Sequence, residues 1–555
     1  MFVIPKKNGG YRPVFNLKAL NAYVHCPHFK MESIQQVIKL INKGDFFTSV
    51  DLTDAFLHIL IHRQFRKYLR FQWEGHLFQF RTTPFGLSVV PWLFTRLTKP
   101  ILLWARRQGM RISAYLDDWI LIAESQQLAQ QQTTALLHQL QTLGWMINTK
   151  KSQLRPTPVL DHLGFQLDSQ SMTIRLPGSK IRDLRRSIST VLKYPTQTPR
   201  LIHSLTMRIK SATLAIFPAN LHTQALMFFK NTSVKTRADW DRLLPLPHNC
   251  LEELRWWLTN LSQWNGRSLL PTNPEHAIYV DASDKGWGGV YRQKSVQGLW
   301  TGEEAAQSIN WRELKAIELT LLAFPHLRDT AVLIRTDNTT AKAYINRQGG
   351  TRSLSLSQLA STIWTNCLQR NLHIQAQHIP GIDNTQADLA SRRFYLKNLW
   401  KLKPQIFAHL QQLWGPHDVD LFADRTSHLL PQYVSWKLDP HALATDALTI
   451  PWAQFKNPYM NPPWNLIMLT LQKIREQRLK QATLVVPHWP SAIWYPLLTD
   501  MAMEPPVFLD PKKHTMLSIP SAPSPWTNPN WKLSVWRLSG IASKAKDTHK
   551  LQFTP

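Results

Sequence analysis

Two adjacent carboxylates inside an apolar run, SAYLDDWILIAES (residues 113–125), constrain this chain more than any other feature. Both flanks of Asp117 and Asp118 are β-rich and apolar, so the pair is expected at the tip of a hairpin. Upstream, FFTSVDLTDAFLHILI (46–61) puts Asp51 at the end of a second apolar strand, with Asp54 and Phe56 where the chain turns into a helix. Carboxylates in this setting are costly to desolvate unless a cation or basic group neutralises them. Two strand-end sources of carboxylate can converge on a divalent ion. Oxygen-only ligands favour Mg2+ or Mn2+, and a pair of such ions activates an attacking hydroxyl and stabilises a leaving phosphate oxygen. The structural alternative is a solvated turn that carries two aspartates.

Such chemistry acts on a polyanion, and the charge agrees. Lys and Arg total 65 against 36 Asp and Glu, a net charge of +29 with a pI near 10.1. Positive charge is densest before residue 273, and in residues 1–100 it interleaves with aromatic side chains, which puts the phosphate-tracking groove in the first half. A length of 555 residues with 43% hydrophobic content excludes disorder throughout and gives room for roughly three or four domains. Cys26, Cys250 and Cys367 are far apart with no CxxC pair, which argues against a disulfide scaffold or structural zinc. The amino end lacks a signal-peptide core and no run of 18 apolar residues occurs, so an intracellular location, nucleus or cytoplasm, is expected, with no membrane partner.

Further motifs keep a fixed order. IPKKNGGYRPVFNLKALN (4–21) sets Lys6, Lys7 and Arg12 around a Gly-Gly turn, a hairpin whose cations can hold a triphosphate. TTPFGLSVVPWLF (82–94) offers Gly86 at a helix start, where a small residue lets a base pair approach. With these motifs, residues 1–165 resemble the fingers and palm of a retroelement reverse transcriptase. The resemblance implies that Asp51, Asp117 and Asp118 bind two Mg2+ ions (or Mn2+) and that Lys6 or Lys7, with Arg12, meets the incoming triphosphate. It makes Phe56 the steric gate that selects deoxynucleotides, Lys150 or Lys151 a later lysine near the triphosphate, and HLGFQL (162–167) a primer-gripping hairpin. The family usually has more fingers sequence before the first basic hairpin, so the fingers are expected to be truncated. Residues 166–272 read as helical. Ile181, Leu184, Ile188 and Leu192 form a stripe, with Arg182, Arg185 and Arg186 off it, and by position this resembles the thumb and connection.

A second set of acids follows in HAIYVDASDKGWGGVY, INWRELKAIELTLLAF, AVLIRTDNTTAKAYIN and HIPGIDNTQADLASR. Asp281 ends a strand before a Gly-rich hairpin, Glu313 lies in an amphipathic helix, Asp337 ends a strand and Asp388 opens a helix, at separations of 32, 24 and 51 residues. Four acids from such elements can enclose two Mg2+ ions that align a water on a phosphodiester. Residues 273–393 resemble ribonuclease H, which implies those four as metal ligands and His378 as an aid to proton transfer or product release. Ser283 and Asn338, beside the acids, are expected at the RNA 2′-hydroxyl or phosphate.

The carboxyl end lacks the zinc-binding pattern of an integrase. HDVDLFADRTSHLLPQYVSW (417–436), FKNPYMNPPWNLIMLTLQKI (455–474) and ATLVVPHWPSAIWYPLL (482–498) suggest α/β layers. NPPW resembles the motif with which amino-methyltransferases clamp a flipped adenine, which implies Asn461 and Pro462 on the exocyclic amine, Trp464 stacked on the base, and Asp420 or Asp424 near S-adenosylmethionine, although no Gly-rich cofactor loop is present.

The expected architecture is a multidomain α+β and α/β chain: a right-hand polymerase with fingers and palm (1–165) and thumb or connection (166–272), a ribonuclease H-like α/β domain (273–393), a linker (394–415), an α/β methyltransferase-like domain (416–535) and a basic, partly disordered tail (536–555). The domain order resembles DIRS-group retrotransposons. That implies an RNA template, DNA primer, RNA–DNA hybrid and deoxynucleoside triphosphates as partners, together with an element-encoded capsid-like protein and tyrosine recombinase. The expected activity is RNA-directed DNA synthesis with hydrolysis of the RNA strand of hybrids. The rival is a domesticated or decayed element that binds nucleic acid, or cuts hybrids, without DNA synthesis.

Overall fold

The computed structural model describes residues 2–5, 11–270, 273–394, 400–509, 516–518 and 532–541, and the chain divides into two units, Met1–Pro271 and Thr272–Pro555. In the first unit, β1 (Phe2–Pro5) and β2 (Tyr11–Val14) pair antiparallel. Strands β3 (Phe46–Asp51), β4 (Arg111–Tyr115), β5 (Asp118–Ala123) and β6 (Gln153–Thr157) form a sheet in the order β4-β5-β3-β6. Every residue of β5 after Asp118 is buried, because both faces are covered. Trp119 and Leu121 meet apolar residues of α1 (Val90–Arg107) and α2 (Gln126–Thr142), while Ile120 and Ile122 join a second core on the opposite face. An unbroken apolar run is the pattern such a strand must have.

Helix α1 begins with a proline in its first turn, where a missing N–H costs nothing, and buries Val90, Phe94, Thr98, Ile101, Leu102 and Ala105 along one face. Two ion pairs staple β4 in place. Arg111 clamps the nearly inaccessible Asp45 through two bonds of 2.6 and 2.7 Å, and Glu32 accepts from Arg106 at 2.5 Å and from Ser113 Oγ at 2.7 Å.

The second core lies under a sheet of β7 (Val159–His162), β8 (Phe165–Asp168), β9 (Thr173–Arg175) and β10 (Arg267–Ser268), in the order β10-β9-β8-β7. Helices α3 (Gly178–Lys193), α4 (Pro199–Ala212), α5 (Gln224–Ser233) and α6 (His248–Asn260) pack into the same core. On α3, Leu184 and Ile188 are buried, Ile181 and Leu192 half-buried, and Arg182, Arg185 and Arg186 exposed. A boundary after residue 165 would cut β8, so the HLGFQL hairpin belongs with this second core.

The second unit opens with β11 (His276–Ala282), β12 (Gly286–Tyr291) and β13 (Lys294–Leu299), followed by α7 (Gly302–Ala305), α8 (Ile309–Ala323), β14 (Ala331–Thr336), α9 (Thr339–Asn346), α10 (Leu354–Gln369), β15 (His373–His378) and α11 (Thr385–Arg392). The sheet runs β13-β12-β11-β14-β15, antiparallel through the first three strands and parallel from β11 to β15. The glycines of β12 allow close approach on both faces. A Cβ at Gly288 would lie 2.6 Å from Ala390 Cβ on α11, and one at Gly289 2.2 Å from Thr320 Oγ1 on α8. Helix α8 is not amphipathic as the sequence suggested; almost everything from Arg312 to Leu321 is buried, including Glu313 and Glu318.

Within the expected linker 394–415, residues 400–414 are structured. Residues Trp400–Leu402 form a strand paired with Met516–Ser518, and Pro404 opens α12 (Pro404–Trp414). Leu402, Phe407, Leu410 and Trp414 are buried against Tyr459, Val485 and Val535. At about 1.5–3 kcal/mol for each large apolar side chain buried, that stripe outweighs the basic composition that hid it. Strands β16 (Val434–Ser435), β17 (Ala444–Thr445), β18 (Tyr459–Met460), β19 (Ala482–Pro487), β20 (Val507–Leu509) and β21 (Leu533–Leu538) build the carboxyl-terminal layer, with α13 (Ile467–Glu476) crossing between β18 and β19. The sheet order is β18-β19-β21-β20, and Asp420 joins it to the β16-β17 pair by parallel bridges to Tyr433 and Tyr459. Trp536 and Leu538 are core residues, so residues 536–538 are strand and not tail; residues 542–555 lie outside the described residues. Among the described residues no helix is long and apolar enough to cross a membrane.

Candidate active sites

Antiparallel register sets Asp51 directly opposite Asp118, with Asp117 in the turn that joins β4 to β5. Three hydrogen bonds lock this end of the sheet: Leu52 N donates to Asp117 O (3.2 Å), Trp119 Nε1 to Leu116 O (2.9 Å) and Asn148 N to Asp51 O (2.8 Å). Leu116 adopts a left-handed conformation at φ 53°, a strained choice for a leucine that turns the chain tightly before the acids. Partial burial pushes Asp118 up to about 6, and the charges of Asp117 and Asp51 add to the rise. Burial also raises Asp51, partly offset by Lys151, whose Nζ lies 3.8 Å from Asp51 Oδ1. Mutual repulsion among acids at one strand end is the state that a bound cation relieves.

Around this cluster, Phe56 sits in the short Ala55–His58 turn with its ring 5.1 Å from that of Phe85 and 5.6 Å from that of Phe94. Gly86 is left-handed at φ 98°, in the loop before α1 and not at its first turn, and its carbonyl accepts from Asn21 Nδ2 at 2.9 Å. Of the two candidate lysines it is Lys151, not Lys150, that faces the carboxylates. Lys6, Lys7 and the side chain of Arg12 lie outside the described residues.

In the second unit, Asp281, Glu313 and Asp337 each bring a carboxylate oxygen within 4.8 Å of the others, and among the described residues this is the one such set of three. Asp51, Asp117 and Asp118 influence one another but do not gather as tightly. Glu313 is 5% exposed, and burial, with the charges of Asp281 and Asp337, pushes its carboxyl up to about 9. Its Oε2 is buried with no hydrogen-bond partner among the described residues, an orphaned acceptor aimed into a nest of oxygens. Burial raises Asp281 as well, against the bond that Ser391 Oγ donates to its Oδ2 at 2.6 Å. An all-oxygen, anionic donor set with an unsatisfied acceptor fits a hard divalent cation.

Asp388 is not part of that set: its Oδ1 accepts from Arg392 Nε at 2.6 Å, one helical turn along α11. Ser283 does not face substrate either. It is buried, its Oγ donates to Ser391 O (2.5 Å) and accepts from Lys285 N and Gly286 N, and it holds the hairpin after Asp281. Asn338 caps α9, accepting from Ala341 N at 2.8 Å, and its amide donates to Asn310 Oδ1 at 3.0 Å. His378 is exposed at the end of β15, in register with Thr336, the residue before Asp337. Sequence reasoning missed Ser391, three positions after Asp388 on the same helix, and Arg312, which binds Ser283 O at 3.2 Å and Asp284 at 2.9 Å beside Glu313. Only the i,i+3 spacing of Asp388 and Ser391 carried a signal.

In the carboxyl-terminal layer, Asn461–Trp464 follow the end of β18, with the Trp464 ring edge-on to Trp489 at 5.2 Å. Asp420 bridges to the start of the same strand and is buried; its carboxylate accepts from Leu429 N and Phe422 N, and burial pushes it up to about 7. Asp424 is closed into its own turn, its Oδ1 accepting from Thr426 and Ser427.

Two segments of the chain match known protein families. Residues 4–167 match the family described as reverse transcriptase (RNA-dependent DNA polymerase), and residues 392–509 match DNA N-6-adenine-methyltransferase (Dam). The chain thus carries a reverse-transcriptase-like domain and a Dam-like domain. It is 23% identical over 415 residues to the enzymatic polyprotein of Figwort mosaic virus, covering 70% of this chain and 57% of that polyprotein. It is 25% identical over 223 residues to the transposon Tf2-3 polyprotein of Schizosaccharomyces pombe, covering 38% of this chain and 16% of the relative. Among solved structures, a foamy viral protease-reverse transcriptase in complex with dsDNA aligns at 16% identity with a TM-score of 0.44, over 68% of this chain and 77% of that one.

Proposed function

We propose that the chain is an RNA-directed DNA polymerase of a retrotransposon that also hydrolyses the RNA strand of RNA–DNA hybrids. The observation that carries the first half is the register that sets Asp51 against Asp118 beside Asp117, within the segment that matches reverse transcriptases. These three carboxylates would hold divalent ions of the Mg2+ or Mn2+ type, which supply Lewis acidity and neutralise phosphate charge when bound. Lys151, near Asp51, offers its ammonium to the triphosphate of the incoming nucleotide. The Phe56 ring, braced by Phe85 and Phe94, is a rigid barrier to a ribose 2′-hydroxyl and so favours deoxynucleotides. The exposed arginines of α3 track the template–primer backbone by charge.

The second half rests on Asp281, Glu313 and Asp337, whose convergence supports two-metal hydrolysis of a phosphodiester. Asp388 joins them once Arg392 releases it, and exposed His378 is positioned for proton transfer to solvent. With purified full-length chain, a DNA primer on an RNA template is expected to extend in Mg2+ and not in EDTA, with the RNA strand cut in the same tube. No extension with any deoxynucleotide or divalent ion would leave only a binding protein or a hybrid nuclease.

For the carboxyl-terminal domain the reading is adenine recognition, supported by the match of residues 392–509 and by strand order. Asp420 and β18 are parallel neighbours at the point where the order of the sheet reverses, where open α/β sheets form their binding crevice. The Asn461 amide, the adjacent Pro462 and the Trp464 ring suit a flipped base, and S-adenosylmethionine would supply an electrophilic methyl there. S-adenosylmethionine is expected to bind in calorimetry, and Asn461→Ala is expected to abolish methyl transfer to adenine in DNA while leaving polymerisation intact. No heat of binding at millimolar cofactor would remove the cofactor from this reading. Affiliation with the DIRS group, with a capsid-like protein and a tyrosine recombinase as partners and an intracellular site of action, completes the proposal.

A further inference from the structure

The ribonuclease H-like sheet and the Dam-like layer share a buried ion pair. Arg425 Nη2 donates to Glu304 Oε1, and the two side chains are 13% and 10% exposed. Neither end is a loose surface group. Arg425 is fixed through its own backbone N–H, which donates to Asp439 Oδ2 at 2.8 Å, and Asp439 in turn accepts from Tyr433 Oη at 3.0 Å, beside β16. Glu304 belongs to a capping box on α7, where its Oε2 accepts from Thr301 N at 3.1 Å. Burial alone would raise its carboxyl, but the Arg425 bond and charge hold it below the usual range.

The chain of contacts continues toward the carboxylates. Trp300, next to Thr301, donates from Nε1 to Ser283 O at 2.9 Å and from its backbone to Lys285 O at 3.2 Å. Ser283 O also accepts from Arg312, the neighbour of Glu313. Alongside, His441 of the Dam-like layer lies within electrostatic reach of Lys315 and Glu318 on α8, the helix that carries Glu313.

We propose that Arg425, a residue of the Dam-like domain, is a positioning residue for the hydrolytic centre, acting through Glu304 and Trp300 on the Ser283–Gly286 hairpin that fixes Asp281. This rests on the nuclease reading above. The carboxyl-terminal domain is then part of the nuclease scaffold, whatever it does to adenine. Removing one partner of a buried pair leaves the other uncompensated, so the effect concentrates at this joint.

The test uses the full-length chain with Arg425→Met, Arg425→Lys and the exchanged pair Arg425→Glu with Glu304→Arg. Hydrogen exchange at the amides of Lys285 and Gly286 is the readout that does not require activity. Arg425→Met is expected to speed that exchange and to lower kcat for hybrid cleavage by about tenfold with KM little changed, while primer extension stays at the wild-type rate. Arg425→Lys and the exchanged pair are expected to recover most of both. Unchanged exchange and unchanged cleavage in Arg425→Met overturn the proposal, as does a loss of cleavage with unaltered exchange at the hairpin. A wild-type chain that cuts no hybrid, yet shows faster hairpin exchange in Arg425→Met, sinks the nuclease reading and leaves the coupling standing.

Discussion

Primer extension by Asp118→Asn is expected to fall roughly a thousandfold or more, with hybrid cleavage by the same sample unchanged. Phosphoryl transfer leaves the protein little to do except position groups and stabilise charge, so removing one of three converging carboxylates removes most of what the site contributes. The substitution is nearly isosteric and sits at the first residue of β5, outside the apolar core, so the fold has no reason to suffer. Its stability should change in a diagnostic direction. Asp118 has its carboxyl raised from 3.8 to about 6 by burial and by Asp117 and Asp51. A raised acid stabilises the folded state below its unfolded pKa, and that stability is lost as pH rises through about 6. Asparagine cannot ionise. In EDTA, the variant should therefore lose less thermal stability between pH 5 and 8 than the parent does. Wild-type extension by Asp118→Asn would remove the assignment at once; a variant with normal pH dependence but no activity would keep the catalytic role and refute the electrostatic account.

The parts of both sites that could be read from sequence are those set by local pattern. Asp51, Asp117 and Asp118 were visible because an acid at the end of an apolar strand has few structural uses, and strand register then brings two of them face to face. Asp281, Glu313 and Asp337 were visible for the same reason, arriving from two strand ends and one helix. What escaped depends on side-chain direction or on partners far along the chain. Ser283 looked like a substrate contact, yet the tight turn before Gly286 consumes its hydroxyl. Asp388 sits one turn from Arg392, and in α11 the local ion pair holds it. Lys150 and Lys151 could not be separated without knowing which way the loop faces. Helix α12 was hidden because Pro404 reads equally as a linker end or a helix start, and its stripe of Phe407, Leu410 and Trp414 needs Tyr459 and Val535 to make sense. Strand β21 pairs with β19 from some fifty residues away, Val485 opposite Val535, and no local signal encodes that partner.

Glu313→Gln should abolish hybrid cleavage, by roughly a thousandfold, while DNA synthesis persists, and its larger value lies in what it does to metal dependence. Glu313 lies inside the second unit with one oxygen unsatisfied, and burial together with Asp281 and Asp337 pushes it from 4.5 up to about 9. The folded, metal-free protein therefore keeps the proton at neutral pH, and the stability this gives is lost as pH climbs from 4.5 through about 9. A divalent ion must displace that proton to bind. Affinity should then rise by up to about tenfold per pH unit on the acid side of 9, so the Mg2+ concentration for half-maximal cleavage falls steeply between pH 6.5 and 8.5. In Glu313→Gln there is no proton to displace. Calorimetry should find Mg2+ affinity weaker overall and flatter in pH, and in EDTA at pH 8.5 the variant should melt higher than the parent by about 2–4 °C, because the parent must take up on folding a proton that its unfolded chain has released, whereas the amide titrates in neither state. If the parent instead binds Mg2+ equally at pH 6.5 and 8.5, Glu313 is ionised before the metal arrives. The account in which the metal displaces a proton from Glu313 would then fail.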